Sequence, residues 1–560
     1  MKTISIGKQD FESLIENEYF FIDKSDFIDE WWAGGDDITL ITRPRRFGKT
    51  LNMSMLNCFF SNRYHNRADL FENLNIWKKE KYRKLQGTYP VIFMSFASVK
   101  ENTAYGAKKQ IKAQITKVYE ENKFLLSGNI LSENEKNFFN RVNIDMEDVD
   151  ASIALNELCS YLNRYYEKKV IILLDEYDTP MQEAYVNGYW DEFTSFVRNV
   201  FNSTFKTNKY LERAIMTGIT RISKESVFSD LNNLNVVTTT SKEYETSFGF
   251  TESEVFDALD SYGLSDKKQE VKMWYDGFVF GTQPDVYNPW SITNYLDKKV
   301  LRPYWAATSS NNLVNAIIQK SSANIKTMLE KLIKGESIEV NFDEQIVFNQ
   351  LDSEENAIWS LLLAGGYVKT DKVEYRGILL EPWYTLSITN RETLSVFAVM
   401  VKGWFSSQSV HYNEFVSALL RDNLKEMNIY MNDISLSTFS NFDTGNHPSK
   451  KMQPEKFYHG FVLGLLVELM GRYDIKSNGE SGYGRYDIML VPLKDNDNAI
   501  IIEFKVMDTD SEKTLNDTAD AALDQIEEKA YDTELLNNGV EKNRIKHYGF
   551  AFSGKKVIIK

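Results

Sequence analysis

The chain of 560 residues is too long for a single hydrophobic core, so about two to four domains are expected. A hydrophobic content of 42% and an aromatic content of 13% argue against disorder and allow large buried cores. With 65 basic against 80 acidic residues the formal net charge is −15, which counts against a protein that simply coats a polyanion and leaves room for a local basic strip.

From the first residue, Met1-Lys-Thr-Ile-Ser-Ile-Gly-Lys8 has no hydrophobic signal core. The longest apolar stretches, around Phe461–Met470 and Ile358–Ala364, are too short to span a bilayer, so no membrane partner is expected. Cys58 and Cys159 each sit inside an apolar helical pattern and read as core residues in a reducing compartment, not as a disulfide or zinc site. A cytoplasmic protein is expected. Residues 1 to about 37 carry aromatic and acidic clusters (Tyr19-Phe-Phe-Ile-Asp-Lys24, Trp31-Trp32), and Gly34-Gly35-Asp36-Asp37 reads as a turn into an apolar run, Ile38–Thr42. A helical pattern (Leu51, Met55, Leu56, Phe59, Phe60) follows, then a strand at Tyr89–Phe96 and a mainly helical stretch over 104–165. Strands at 169–176 and Arg213–Arg221 complete an alternation that predicts an α/β fold with a parallel sheet and ligands at the strand C-termini.

Two segments at such ends carry chemistry. Gly48, Lys49 and Thr50 match the second half of a P-loop, in which backbone N–H groups at a helix N-terminus cradle phosphates, the lysine reaches the β/γ-phosphates and the hydroxyl ligates Mg²⁺. The motif's first glycine falls on Arg43. Val170-Ile-Ile-Leu-Leu-Asp-Glu176 ends in two carboxylates: Asp175 is expected to hold the Mg²⁺ shell and Glu176 to orient or deprotonate the attacking water. Thr217, Thr220 and Arg221 fall where a γ-phosphate sensor would sit. Arg221, Arg45 or Arg46 could act as an arginine finger, in cis or across the interface of a homo-oligomer, with structural ion pairing as the alternative for each. The competing interpretation of the whole is a basic turn capping a helix beside an unrelated acidic strand end. A strip at Lys78, Lys79, Lys81, Arg83 and Lys84, and another at Lys555, Lys556 and Lys560, read first as solvated faces.

Residues 250 to 440 look mostly helical, with turn clusters at Trp274–Phe278, Tyr287–Trp290 and Gly365–Tyr367. Farther on, Lys456–Gly471 reads as an amphipathic helix, and Arg485–Pro492 and Ala499–Val506 as a hairpin joined by Lys494–Asn498. A helix at about 511–531 and a last strand pair complete an α-β-β-β-α-β order. On the hairpin, a period of two puts Glu503 and Lys505 on one face, within reach of Asp487 on the partner strand. Two carboxylates and a backbone carbonyl suit a hard divalent ion such as Mg²⁺. Lys505 can orient or activate water and offset developing phosphate charge, so the inferred chemistry is metal-dependent phosphodiester hydrolysis. The alternative is an exposed ion pair, but a Glu and a Lys inside so apolar a strand would be costly without a purpose. Gln525 and Tyr531 follow on the next helical stretch.

Asp487…Glu503-Phe-Lys505 with Gln525 resembles the PD-(D/E)XK nuclease superfamily, with Tyr486 where that motif has proline. The chain as a whole resembles bacterial AAA-ATPase-like proteins with a C-terminal domain of that superfamily, through Tyr19–Lys24, Arg43–Thr50, Asp175-Glu-Tyr-Asp178, Thr217–Arg221, Ser229–Asn233 and Tyr483–Asp487. Arg43 is the ordinary residue at its place in such proteins. The resemblance implies a P-loop ATPase domain over 1–250, a helical lid or linker over 251–445 and a restriction-endonuclease-like domain over 446–560. The expected nucleotide-site residues are Arg45, Arg46, Gly48, Lys49, Thr50, Asp175, Glu176, Thr217 and Arg221, and the expected nuclease residues are Asp487, Glu503, Lys505 and Gln525. Thr50, Asp175, Asp487 and Glu503 are the expected metal ligands; ATP and Mg²⁺, with Mn²⁺ as a substitute at the nuclease site, are the expected cofactors. The expected partner is nucleic acid, DNA ahead of RNA, although no residue separates the two. A nucleotide-dependent switch or interaction protein with an inactive nuclease fold is the alternative.

Overall fold

Five apolar segments lie side by side in the N-terminal part of the chain: β1 (Ile38–Thr42), β2 (Val91–Ser95), β3 (Val170–Asp175), β4 (Leu211–Gly218) and β5 (Leu234–Val237). All pair parallel in the order β2-β3-β4-β1-β5. This computed structural model describes residues 2–220, 227–228, 231–305, 314, 317–318, 321–333, 335–344, 351, 354–404, 409–438, 458, 462, 465–466, 469, 472–477, 479–494, 497–508 and 513–560. The chain forms two compact units, residues 1–317 with 337–393, and residues 318–336 with 394–560.

Both β1 and β3 are buried along their whole length, which is why they read as predominantly apolar runs: a parallel sheet is covered on both faces. Alternation sorts their side chains. Ile38, Leu40, Ile172, Leu174, Ala214 and Met216 face a core built with the helices Ala104–Glu121, Asp148–Tyr166 and Trp190–Phe205. Ile41, Ile171, Leu173, Ile215 and Val237 face a second core with Trp31 and helix α1 (Lys49–Phe60), through Met53, Leu56, Phe59 and Phe60. Each aliphatic side chain so buried contributes about 1.5–3 kcal/mol relative to exposure. The register sets Thr42 beside Gly218 and Ser95 beside Asp175, so the polar ends of the strands share one edge of the sheet.

The stretch after residue 250 is less uniformly helical than its sequence suggests. Besides the helices Glu252–Ser261, Lys268–Tyr275 and α2 (Pro289–Lys298), it holds two three-stranded antiparallel sheets, one of Phe250–Thr251, Gln283–Tyr287 and Phe278–Phe280, the other of Ile338–Asn341, Val368–Arg376 and Glu381–Ile388. These strands are short or carry charges on a half-exposed face, so they lack the continuous apolar signal of β1 and β3. Lys79 and Lys81 of the first basic strip pair with Asp26 and Asp29, and Lys560 of the second pairs with Asp520. Among the described residues no helix is long and apolar enough to cross a membrane.

In the second unit, β6 (Tyr473–Ser477), β7 (Ile488–Pro492), β8 (Ala499–Val506), β9 (Ile545–Ser553) and β10 (Lys556–Ile559) form a sheet in that order. Only β8 and β9 are parallel, and helix α3 (Leu515–Glu528) connects them, three residues shorter at its C-terminal end than the helix read from sequence. It starts at a capping box in which the Thr514 hydroxyl and the Asp517 carboxylate satisfy each other's backbone N–H groups. Gly549 lets α3 lie close on β9: a Cβ there would stand 2.5 Å from the Ala519 carbonyl oxygen. The free edge of β10 is closed by Asn428 and Asn432, whose side-chain amides exchange hydrogen bonds with the backbone of Ile559 and Val557. The helix expected at Lys456–Gly471 and the middle of the Lys494–Asn498 connector lie largely outside the described residues; Tyr458, Val462, Leu465 and Leu466 are buried against this sheet.

Between the helix Lys268–Tyr275 and the strand Gln283–Tyr287, Glu252, Asp276 and Asp285 gather around the Lys272 ammonium. Burial, and then the neighbouring Asp285 carboxyl, raise the Asp276 pKa to about 7. Because the folded chain holds that proton more tightly than the unfolded chain, stability falls as pH rises from about 4 to about 7. Comparing thermal unfolding at pH 5 and pH 8, Asp276→Asn is expected to gain at least about 2 °C on the parent at the higher pH; a difference independent of pH would contradict the assignment.

Candidate active sites

The loop from Arg43 to Gly48 carries the chain from β1 into α1. Gly48 takes a left-handed conformation, φ 81°, with no heavy atom within 4 Å of a built Cβ, so backbone shape and not crowding requires glycine there. Arg43, where the motif has its first glycine, has no positive φ, and so a side chain is tolerated. Its guanidinium is fully buried, donates to the carbonyls of Thr42 (2.9 Å), Thr238 (2.6 Å) and Glu243 (3.2 Å), and lies over the ring of Phe280. Burial lowers its pKa to about 9, still above neutrality. Arg43 is thus a structural clamp between the loop and the segment after β5.

The Lys49 ammonium is buried and donates to the carbonyls of Arg43 and Pro44, both at 2.9 Å. Burial lowers its pKa, while Glu176, Asp178 and Asp175 pull the other way. Across the strand ends, Asp175 accepts from the Thr50 hydroxyl (2.7 Å) and the Thr217 hydroxyl (2.5 Å), and burial raises its pKa against the effect of those two bonds. Glu176 follows in a left-handed conformation, φ 51°, uncommon for a side chain of its type, and accepts from the Thr179 hydroxyl at 3.1 Å. Arg45 contributes its carbonyl to Asn288 and to the Trp305 indole N–H, and the Arg46 guanidinium lies 4.1 Å over the Trp290 ring. Arg221 falls outside the described residues. A cavity of about 420 Å³ opens over this loop, lined by Arg46, Gly48, Lys49, Thr50 and Glu176.

One organising residue was not assigned a role from sequence. Asp178, buried, accepts from the backbone N–H groups of Ile219 and Thr220, from the Thr220 hydroxyl and from the Gln182 amide. It shapes the loop that follows Thr217. Its spacing after Asp175 was visible in the sequence, but a carboxylate's use as a loop staple depends on which loop lies opposite.

In the second unit, antiparallel pairing of Ile488 with Ile502 places Asp487 opposite Glu503. Asp487 accepts from the Phe504 N–H at 2.8 Å. Glu503 is 3% exposed. From α3, Gln525 takes a hydrogen bond from the Lys505 ammonium on its Oε1 (2.7 Å) and donates through Nε2 to Glu503, and to the Tyr531 hydroxyl at 3.2 Å. Tyr531, just beyond α3 and not on it, donates to the Arg485 carbonyl at 2.7 Å. All four expected residues therefore converge, with Tyr531 anchoring Gln525. The oxygen-rich pairs Thr50–Asp175 and Asp487–Glu503 are of the hard-donor type that divalent cations take, and so both fit such an ion.

Residues 5–228 match the family model described as a predicted AAA-ATPase, and residues 453–560 match the PD-(D/E)XK nuclease superfamily. The chain joins an AAA-ATPase-like domain to a PD-(D/E)XK superfamily domain. Families of these two kinds usually use a nucleotide and a divalent metal. A protein of Azotobacter chroococcum mcd 1, described as an uncharacterized protein in the vnfD 5′ region, is 23% identical over 539 residues, spanning 95% of this chain and 93% of its own length. The similarity therefore runs through both domains and the stretch between them.

Within the AAA-ATPase-like domain, Asp178→Ala leaves the buried N–H and hydroxyl of Thr220 and the half-buried N–H of Ile219 without their acceptor, at about 1–3 kcal/mol for each buried group before relaxation. A fall in the thermal unfolding midpoint of at least about 4 °C is expected; an unchanged midpoint would show that Asp178 does not staple the loop.

Proposed function

We propose that the protein binds and hydrolyses ATP and couples this to Mg²⁺-dependent cleavage of phosphodiester bonds, with DNA as the substrate. The observation that carries the nuclease half is the Gln525 bridge, which holds the Glu503 carboxylate and the Lys505 ammonium of one strand face in a fixed relation beside Asp487. A catalytic lysine needs such an anchor, because its flexible stem otherwise leaves the charge unlocated. In this reading Asp487 and Glu503 hold a divalent cation, and Lys505 positions the water and faces the charge that develops on the phosphate. The cation supplies Lewis acidity and lowers the cost of forming the nucleophile.

The ATPase half rests on the Thr50–Asp175–Thr217 set beside Lys49. Lys49 would exchange the carbonyls of Arg43 and Pro44 for phosphate oxygens, a favourable change for a buried ammonium whose partners are uncharged. Thr50 and Asp175 would hold Mg²⁺, Glu176 would orient the water, and Thr217 reports the position of Asp175. A second reading, a nucleotide-dependent switch without cleavage, draws on the net charge of −15, which opposes approach to a polyanion.

Cleavage of single- and double-stranded DNA and of RNA, with Mg²⁺ or Mn²⁺ and with or without ATP, separates the two. Glu503→Ala is expected to abolish cleavage, and Lys49→Ala to abolish ATP turnover and alter cleavage, each by at least about 100-fold. Intact ATP turnover with no cleavage of any substrate would favour the switch.

A further inference from the structure

Trp290 and Arg46 form a contact that the proposed chemistry leaves unused. Trp290 opens α2 behind its cap: the Asn288 side chain accepts from the Trp290 N–H at 2.9 Å, and the indole N–H donates to the Tyr304 carbonyl at 3.3 Å. Gly7, at φ 81°, lies beside the ring, where a Cβ would stand in ordinary contact at 3.6 Å. The indole edge is thereby pinned, and what it offers is a face. Arg46 covers that face with its guanidinium 4.1 Å from the ring centroid, yet is itself exposed and makes no hydrogen bond or ion pair among the described residues. Its backbone is left-handed, φ 68°, a conformation that a non-glycine residue adopts at a cost.

Both residues line the cavity of about 420 Å³ together with Gly48, Lys49 and Thr50, and Phe20, Ile22 and Phe250 line it as well. That volume lies in the range of small-molecule sites. We propose that the Trp290 face is the seat of the nucleobase, and that the base displaces Arg46, freeing its guanidinium for the phosphates. The inference rests on the nucleotide reading of the P-loop. One ring face cannot hold both partners, and a base stacks on an aromatic ring more strongly than a partly exposed guanidinium does. Triphosphate oxygens accept guanidinium hydrogen bonds better than a ring does, so the freed Arg46 gains partners in the exchange. Asn288 ties the N-terminus of α2 to the Arg45 carbonyl of the phosphate loop, which fixes the Trp290 ring relative to that loop.

The test is calorimetric titration of the full chain with ATP and, separately, with inorganic tripolyphosphate, which has the phosphates and no base. Trp290→Ala is expected to weaken ATP about tenfold and leave tripolyphosphate unchanged, while Trp290→Phe keeps most of the ATP affinity. If the alanine variant does not fold, Trp290→Leu, which retains an apolar body, serves for the same comparison. Lys49→Ala is expected to weaken both ligands. Equal weakening of both ligands by Trp290→Ala, or no weakening of ATP, overturns the base seat. The nucleotide reading would survive either result so long as Lys49→Ala weakens both ligands. Unchanged binding of both ligands to Lys49→Ala overturns that reading, and the seat with it.

Discussion

Asp175 is the constraint around which the N-terminal domain is arranged. Its carboxylate sits at the end of an entirely buried strand, where solvent cannot satisfy it, and the two hydroxyls that do satisfy it come from Thr50 in the first turn of α1 and from Thr217 near the end of β4. A buried carboxylate of this kind is tolerated only with partners in place. Thr50 can reach it only because Gly48 starts α1 with a left-handed turn, and Thr217 only because β4 lies beside β3 in parallel register. Core, register and loop geometry therefore meet at one side chain. Burial raises its pKa, and the two hydroxyl hydrogen bonds work against that rise.

The C-terminal domain solves a related problem differently. Glu503 and Lys505 lie on a strand face that α3 covers, and the helix supplies Gln525, a side chain with both a donor and an acceptor, to meet a carboxylate and an ammonium at once. A neutral amide between two opposite charges fixes their separation without adding charge. Gly549 permits this, since without it α3 could not approach the sheet closely enough for Gln525 to reach.

Much of this was legible in the chain itself. The largely apolar runs of β1 and β3, each ending in polar residues, could be read as strands of a doubly covered parallel sheet, and period-two spacing alone placed Glu503 with Lys505. What could not be read were contacts between segments far apart: Asp178 stapling the loop after Thr217, Tyr531 anchoring Gln525 from beyond its helix, and Trp305 and Asn288 gripping the Arg45 carbonyl. The two small sheets after residue 250 were missed for a local reason, because half-exposed strands bearing charges leave no strong period.

The sequence by itself determined four of the five strands of the parallel sheet, the α/β class and the chemical types at each motif, since all of these follow from periodicity and from residues close along the chain. Only the tertiary structure decided what each polar group faces. The case of Arg43 shows why: spacing marks it as a misfit in a phosphate loop, whereas its burial between Phe280 and the carbonyls of Thr238 and Glu243 makes it a clamp. A guanidinium's role is set by its acceptors, and these lie nearly 200 residues away along the chain.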